Sequence, residues 1–112
     1  MDKQLKYKKI VRELMDELIA FFPDDSYVEL LPIVDEKNGQ YLVYSDGWEN
    51  RKRDYACFFH VEVKPNGRVY LRHDGTDLDV GNQLVQKGVD KQDIVLAFMS
   101  PFRRELSDFA VA

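Results

Sequence analysis

Between Leu5 and Phe22 the apolar residues return every three or four positions. Leu5, Tyr7, Ile10, Val11, Leu14, Met15, Leu18 and Phe22 therefore line one side of an α-helix that needs a partner surface. On its polar side Lys9 with Glu13 and Arg12 with Asp16 stand four apart, where opposite charges gain about 0.2–0.5 kcal/mol per pair. Pro23 and the following Asp24-Asp25-Ser26 end the helix, since proline cannot continue its hydrogen-bond ladder.

From Tyr27 to His73 the period becomes two. Val28 to Val34 reads as an edge strand, because Pro32 has no N–H for a ladder. Asn38-Gly39 turns the chain into a second strand, Gln40 to Tyr44. In a third strand, Tyr55 to Val63, strict alternation puts Tyr55, Cys57, Phe59, Val61 and Val63 on the core face and Ala56, Phe58, His60 and Glu62 on the other. A three-residue Pro65-Asn66-Gly67 loop sets Val63 opposite Val69 and Val61 opposite Leu71, whereas a two-residue loop would oppose Val61 to Arg72. The first register is the better one. It places His73 beside Phe59, pairs His60 with Arg72, and points the two histidines to opposite faces.

After the sheet, Thr76 can cap a helix with Asp79 three residues on, Val80, Leu84 and Val85 are its apolar face, and Gly88 follows as its left-handed terminator. Asp90 and Asp93 repeat the capping pattern ahead of Ile94 to Phe98, which reads as a further short helix, although a strand has the same apolar run. Ser100-Pro101 starts a final turn, and Leu106, Phe109 and Val111 are expected to dock the tail. The reading is a single α+β domain over residues 1–112: a long N-terminal helix packed on an antiparallel four-stranded meander, then short C-terminal helices.

Composition narrows the function classes. The 112 residues hold 16 Lys and Arg against 20 Asp and Glu, so a chain of net charge −4 is poorly suited to binding nucleic acid unaided. The first twelve residues are the exception, with Lys3, Lys6, Lys8, Lys9 and Arg12 against Asp2. Lys6, Lys8, Lys9 and Arg12 are thus the candidate phosphate contacts, against the plainer reading of a solvated helix face. One cysteine, no apolar run of membrane-spanning length and no signal-peptide block lead to the expectation of a cytoplasmic protein without membrane association.

Catalytic chemistry finds little purchase. His60 and His73 lack a third ligand at metal spacing, and no metal or cofactor is expected. His73 with Asp74 and Asp77 could form a general base and its orienting carboxylate. Asp74-Gly75-Thr76-Asp77 is nevertheless fully explained as turn and helix cap. Cys57, flanked on its face by Tyr55, Phe59 and Val61, lacks anything to stabilise a thiolate and reads as core. The segment Gly47-Trp48-Glu49-Asn50-Arg51-Lys52-Arg53 is different. One tryptophan among three cations, read as a loop, can anchor a protein partner or stack on a base, and a core tryptophan beside a solvated turn explains it as well. Arg104, near the tail, can add to a partner site built on Trp48, Arg51 and Arg53.

Several of these residues together resemble a known family. Trp48 with Arg51 and Tyr55, the Asp74-Gly75-Thr76-Asp77 turn, Leu84-Val85 with Gly88-Val89, Asp93 to Phe98, Ser100-Pro101 with Arg104, and Phe109-Ala110-Val111 are similar to the XisI family, as is the opening Tyr7 to Val11 helix. The sequence departs from the family pattern at Asp77, Ala97 and Met99, where glutamate, glycine and histidine are usual. The resemblance implies a cyanobacterial controlling factor for excision of the fdxN DNA element, acting beside a recombinase and XisH, itself similar to endonucleases. It supplies no catalytic residue.

Two function classes follow. The favoured one is a non-enzymatic accessory protein that binds an XisH-like partner, and itself as a homo-oligomer, touching DNA only indirectly or weakly. The alternative is direct DNA binding through the basic helix and the 48–53 segment. An enzyme using His73 and Asp74 ranks third.

Overall fold

A computed structural model describes residues 2–22 and 27–112. Helix α1 spans Lys3–Phe21, capped by the Asp2 carboxylate, which accepts from the Gln4 N–H. Its predicted stripe is the buried one: Tyr7, Val11, Leu14, Met15 and Leu18 face the core, while Leu5 at the first turn stays exposed. The expected stop at Pro23 to Ser26 lies outside the described residues. Phe22, next to that proline, is already extended at φ −87° and ψ 141°, as a pre-proline residue must be. Arg12 meets Asp16 as expected, whereas Glu13 bonds Lys87 rather than Lys9.

The sheet has five strands, β1 (Val28–Asp35), β2 (Gln40–Glu49), β3 (Lys52–Val63), β4 (Val69–Asp74) and β5 (Ile94–Leu96), in that spatial order. The first four pair antiparallel, with β1 as an edge; β5 runs parallel to β4. The sheet is therefore mixed and five-stranded, not an antiparallel meander of four. Ile94 to Leu96 is the missing strand, in place of the expected helix. All three of its residues are buried, and so short an apolar run carries no periodicity to separate strand from helix. Helix α2 (Val80–Lys87) makes the crossover from β4 to β5, as parallel neighbours require.

Register in the β3–β4 turn is as predicted, with Val63 opposite Val69 and Val61 opposite Leu71, and Gly67 takes the left-handed position at φ 85°. Two bulges then overturn the facing assignments. Val43 pairs with Phe59 but Tyr44 pairs with Cys57, so Phe58 is the extra residue. It turns toward α1, where its ring meets Phe22 edge-on at 5.2 Å, and beyond it the phase is inverted. Tyr55 and Cys57 consequently lie on the face away from the core. Tyr55 is exposed and Cys57 half-buried. The second bulge inserts Arg72, so that His60 pairs with His73 and the histidines share the outer face instead of opposing each other.

The inner face carries Tyr41, Val43, Phe59, Val61, Val63, Val69 and Leu71, all buried against α1 and against Val80 and Leu84 of α2. Gly88, at φ 116°, ends α2 by donating to Val85, as expected. Thr76, however, does not cap it. The helix begins later, and the Asp74 carboxylate accepts from the Val80 N–H. Helix α3 (Pro101–Glu105) opens on Ser100, whose hydroxyl accepts from the Arg103 N–H. Of the tail residues expected to dock, Phe109 packs on the core, whereas Leu106 and Val111 are exposed. Ala110 is the buried anchor, through its N–H bond to Ile94.

Candidate functional site

Strands β2 and β3 run on as a ladder to Glu49 and Lys52, so residues 48–53 form the end of a hairpin rather than a loop. Only Asn50 and Arg51 turn, and Asn50 accepts a positive φ of 57°, which asparagine tolerates. Trp48 stands directly opposite Arg53 on the outer face and is 59% exposed. The reading of Trp48 as core is thereby excluded.

Arg53 is the centre of this end. Its guanidinium bonds the Asp46 carboxylate and the Gly47 carbonyl, and it lies 5.4 Å from the Trp48 ring centre and 4.9 Å from that of Tyr55. Tyr55 in turn is 5.5 Å from Tyr44. Trp48, Arg53, Tyr55 and Tyr44 thus form one continuous stack along the surface. Each cation–π contact contributes about 0.5–1 kcal/mol at such exposed sites. More important for recognition, the stack fixes rotamers that a binding partner would otherwise have to order. Arg51 projects at the turn, exposed and apart from the stack. Arg104, the fourth expected member, is occupied elsewhere: its guanidinium donates to the carbonyls of Leu96, Ala97 and Met99 and ties α3 to the end of β5. Tyr44 and Tyr55 belong to the site although strict alternation hid Tyr55 in the core. The continuing period of two through Tyr44, Asp46 and Trp48 is the signal that finds them.

The motif turn is structural in its contacts. One oxygen of Asp74 accepts from the Thr76 N–H at 2.9 Å and the Thr76 hydroxyl at 2.6 Å, and the other accepts from Val80 at 3.1 Å. Thr76, itself buried, accepts from the Leu78 N–H, and Gly75 donates to Phe58. Asp77 is exposed at φ 59°. No hydrogen bond joins His73 to Asp74 among the described residues, because the second bulge sends His73 outward while Asp74 turns to α2. His60 bonds Gln40 at 2.8 Å; burial, and next the Arg72 charge, hold its pKa below the usual imidazole value. Burial pushes the Cys57 thiol up, away from nucleophile chemistry. Among the described residues no three histidine, cysteine or carboxylate side chains converge on a point that could hold a metal, and no helix is long and apolar enough to cross a membrane.

The basic helix face is diluted by acids. Lys8 donates to the Glu36 carbonyl, and Arg12 lies between Asp16 at 3.4 Å and Glu36 at 3.9 Å. Lys6 and Lys9 stay exposed on the same helix.

Comparison with known proteins places this architecture. Two solved structures from Anabaena variabilis superpose on nearly the whole chain. A XisI-like protein does so at a TM-score of 0.88 with 31% identity, covering 97% of this chain and 99% of its own. The fdxN element excision controlling factor XisI does so at 0.86 with 28% identity, covering 99% and 100%. No curated protein matches the chain. Because the XisI protein family itself matches residues 1–111, mixed sheet, hairpin end and motif turn included, the chain belongs to the XisI family.

Proposed function

We propose that this chain is a non-enzymatic controlling factor in DNA-element excision, which acts by binding an XisH-like, endonuclease-related protein through the Trp48–Arg53 end of its hairpin. The observation that carries the reading is the exposed, pre-ordered stack of Trp48, Arg53 and Tyr55: a large apolar anchor held by an arginine is the residue pair that dominates protein interfaces. Family membership supports the process, since a structural relative bears the name of an excision controlling factor. The absence of a joined His73–Asp74 pair and the upward-shifted Cys57 support a role without catalysis.

The test is capture from the native host. The tagged chain should retain an XisH-like protein identified by mass spectrometry, and a Trp48→Ala chain should retain much less. Equal retention by both chains, or no XisH-like protein at all, rejects the reading.

A further inference from the structure

Helices α1 and α2 both pack on the inner face of the sheet, and among the described residues no helix covers the outer face of β1 to β4. An antiparallel sheet with one wet face normally alternates apolar and polar residues. This one does not: β1 reads Leu30-Leu31-Pro32-Ile33-Val34 and β2 reads Tyr41-Leu42-Val43-Tyr44, the pattern of strands covered on both sides. The register assigns Leu31, Ile33, Leu42 and Tyr44 to adjacent outer positions, with Ile33 opposite Leu42 and Leu31 opposite Tyr44. They form a contiguous apolar band, and Ile33 is 47% exposed.

We infer that this outer face is a self-association surface, on which a second copy of the chain packs sheet to sheet in a two-fold dimer. Charge selects the occupant. The face holds four anions, Glu29, Asp35, Asp46 and Glu62, and three cations, Arg53, Lys64 and Arg72, so it is close to neutral and most of the chain's net charge of −4 lies elsewhere. The charges are also paired in place: Arg53 with Asp46 at one end, Arg72 and Lys64 with Glu62 at the other. A nucleic acid would find its cations already neutralised and nothing for the aliphatic band to do. A strongly charged protein would find no complementary field. A copy of the same face meets both signs at each end and an apolar centre in between, the self-complementarity an isologous interface requires. Size agrees. Four strands about 4.8 Å apart over about eight residues make a flat area of roughly 500 Å², which side-chain relief brings toward the roughly 800 Å² per partner of a standard interface. The two sheets would lie about 10 Å apart, as in other sandwiches.

The face shares Tyr44 and Arg53 with the proposed partner site, but its test is independent of the XisH-like partner because it uses the isolated chain alone. Light scattering and sedimentation at rising concentration should give a mass twice the 13.2 kDa of one chain. Leu42→Lys, and separately Tyr44→Lys, should return it to one chain while far-ultraviolet circular dichroism stays native. Cys57 sits in the middle row beside Tyr44, so its alkylation in the unmutated protein is a probe that needs no folded variant, and it should slow several-fold as concentration rises through the dimerisation range. A single-chain mass up to about 100 μM, weaker than interfaces of this size, overturns the inference. So does a double mass that survives both natively folded variants, or Cys57 reactivity that ignores concentration.

Discussion

The Tyr7 hydroxyl donates to a carboxylate oxygen of Asp93 over 2.6 Å, joining the first turns of α1 to a 3-10 turn 86 positions later. The same hydroxyl accepts from the Asp90 N–H at 3.2 Å, and Asp93 is held further by Lys3 at 2.9 Å and Arg68 at 3.7 Å. That turn launches β5. The contact therefore fixes where the parallel strand enters the sheet relative to the helix that covers it, and it does so with polar groups that are buried and paired rather than merely adjacent.

Tyr7→Phe keeps the ring in the core and removes only the oxygen. Asp93 loses a donor and the Asp90 N–H its acceptor, so the chain should lose about 1–3 kcal/mol in urea unfolding. Burial alone would raise the Asp93 carboxyl, but the Tyr7 hydroxyl and the Lys3 ammonium outweigh it and hold the pKa below the usual carboxylate value. A depressed carboxyl stabilises the fold above its unfolded pKa and loses that contribution as pH falls through the folded one. The stability gap between the unmutated protein and Asp93→Asn should thus be largest near neutrality and close between about pH 5 and pH 2. A gap that is independent of pH would show that Asp93 acts by packing alone.

Asp74 offers a test of the motif turn. Its carboxylate accepts three hydrogen bonds that shape the entry to α2, and no reacting partner faces it. Asp74→Asn should cost about 1–2 kcal/mol in a thermal or urea melt and leave partner binding unchanged. Loss of binding in a variant of unaltered stability would give this turn a direct functional role.

The long helix, the edge strand with Pro32 and the register at Val63 and Val69 could be read from the sequence because each rests on a local rule: a period, a missing N–H, a turn geometry. What escaped detection was tertiary. The bulges at Phe58 and Arg72 leave the composition of β3 and β4 unchanged yet invert the facing of Tyr55, Cys57 and His73, and nothing within an alternating strand announces an extra residue. Ile94 to Leu96 could be read as helix or strand for a related reason, since three apolar residues take their identity from the β4 edge they meet. Of the candidate site, Trp48 and Arg53 were legible as an unusual composition. The stack that joins them to Tyr55 depends on the first bulge and was not. Arg104 shows the reverse error: a cation near a motif reads as available until three carbonyls are seen to occupy it.

His60 provides a second pH signature. Burial and the nearby Arg72 charge lower its folded pKa, so the neutral ring is favoured in the native state. Its contribution is present above the unfolded value, about 6.5, and is lost as pH falls through the folded one. Ring titration by nuclear magnetic resonance should find the His60 midpoint below 6.5, and His60→Gln should lessen the stability lost between about pH 7 and pH 5. A midpoint at or above 6.5 would contradict this account of the outer face.

Direct DNA binding should be weak. Of the four candidate helix cations, Lys8 and Arg12 already contact Glu36 or Asp16, and the chain is acidic overall. Titration of labelled duplex at near-physiological salt should give a dissociation constant no tighter than about 10⁻⁶ M, and one that rises steeply with salt. Sequence-specific binding in the nanomolar range would instead make the basic helix the functional surface.

Trp48 carries the most decisive substitution, because its two possible roles predict opposite outcomes. A buried tryptophan reduced to alanine costs about 3–5 kcal/mol of folding stability. Trp48 is 59% exposed at the hairpin end, and its ring contact there is with Arg53, so Trp48→Ala should shift unfolding by no more than about 1 kcal/mol. The cost should appear in the complex. As the apolar anchor of the partner surface, its removal should weaken binding of an XisH-like protein by about 2 kcal/mol or more. Arg51→Ala should have a smaller, salt-dependent effect, since that side chain is exposed at the turn and lies outside the stack. Arg53→Ala should exceed Arg51→Ala, because it also releases Trp48 and Tyr55 from the stack and restores rotamer freedom that binding must then remove. Calorimetry of unfolding and of partner titration on the same preparations separates the two. A sharply lowered melting temperature with an unaltered complex would make Trp48 a packing residue and withdraw the hairpin end as a binding site.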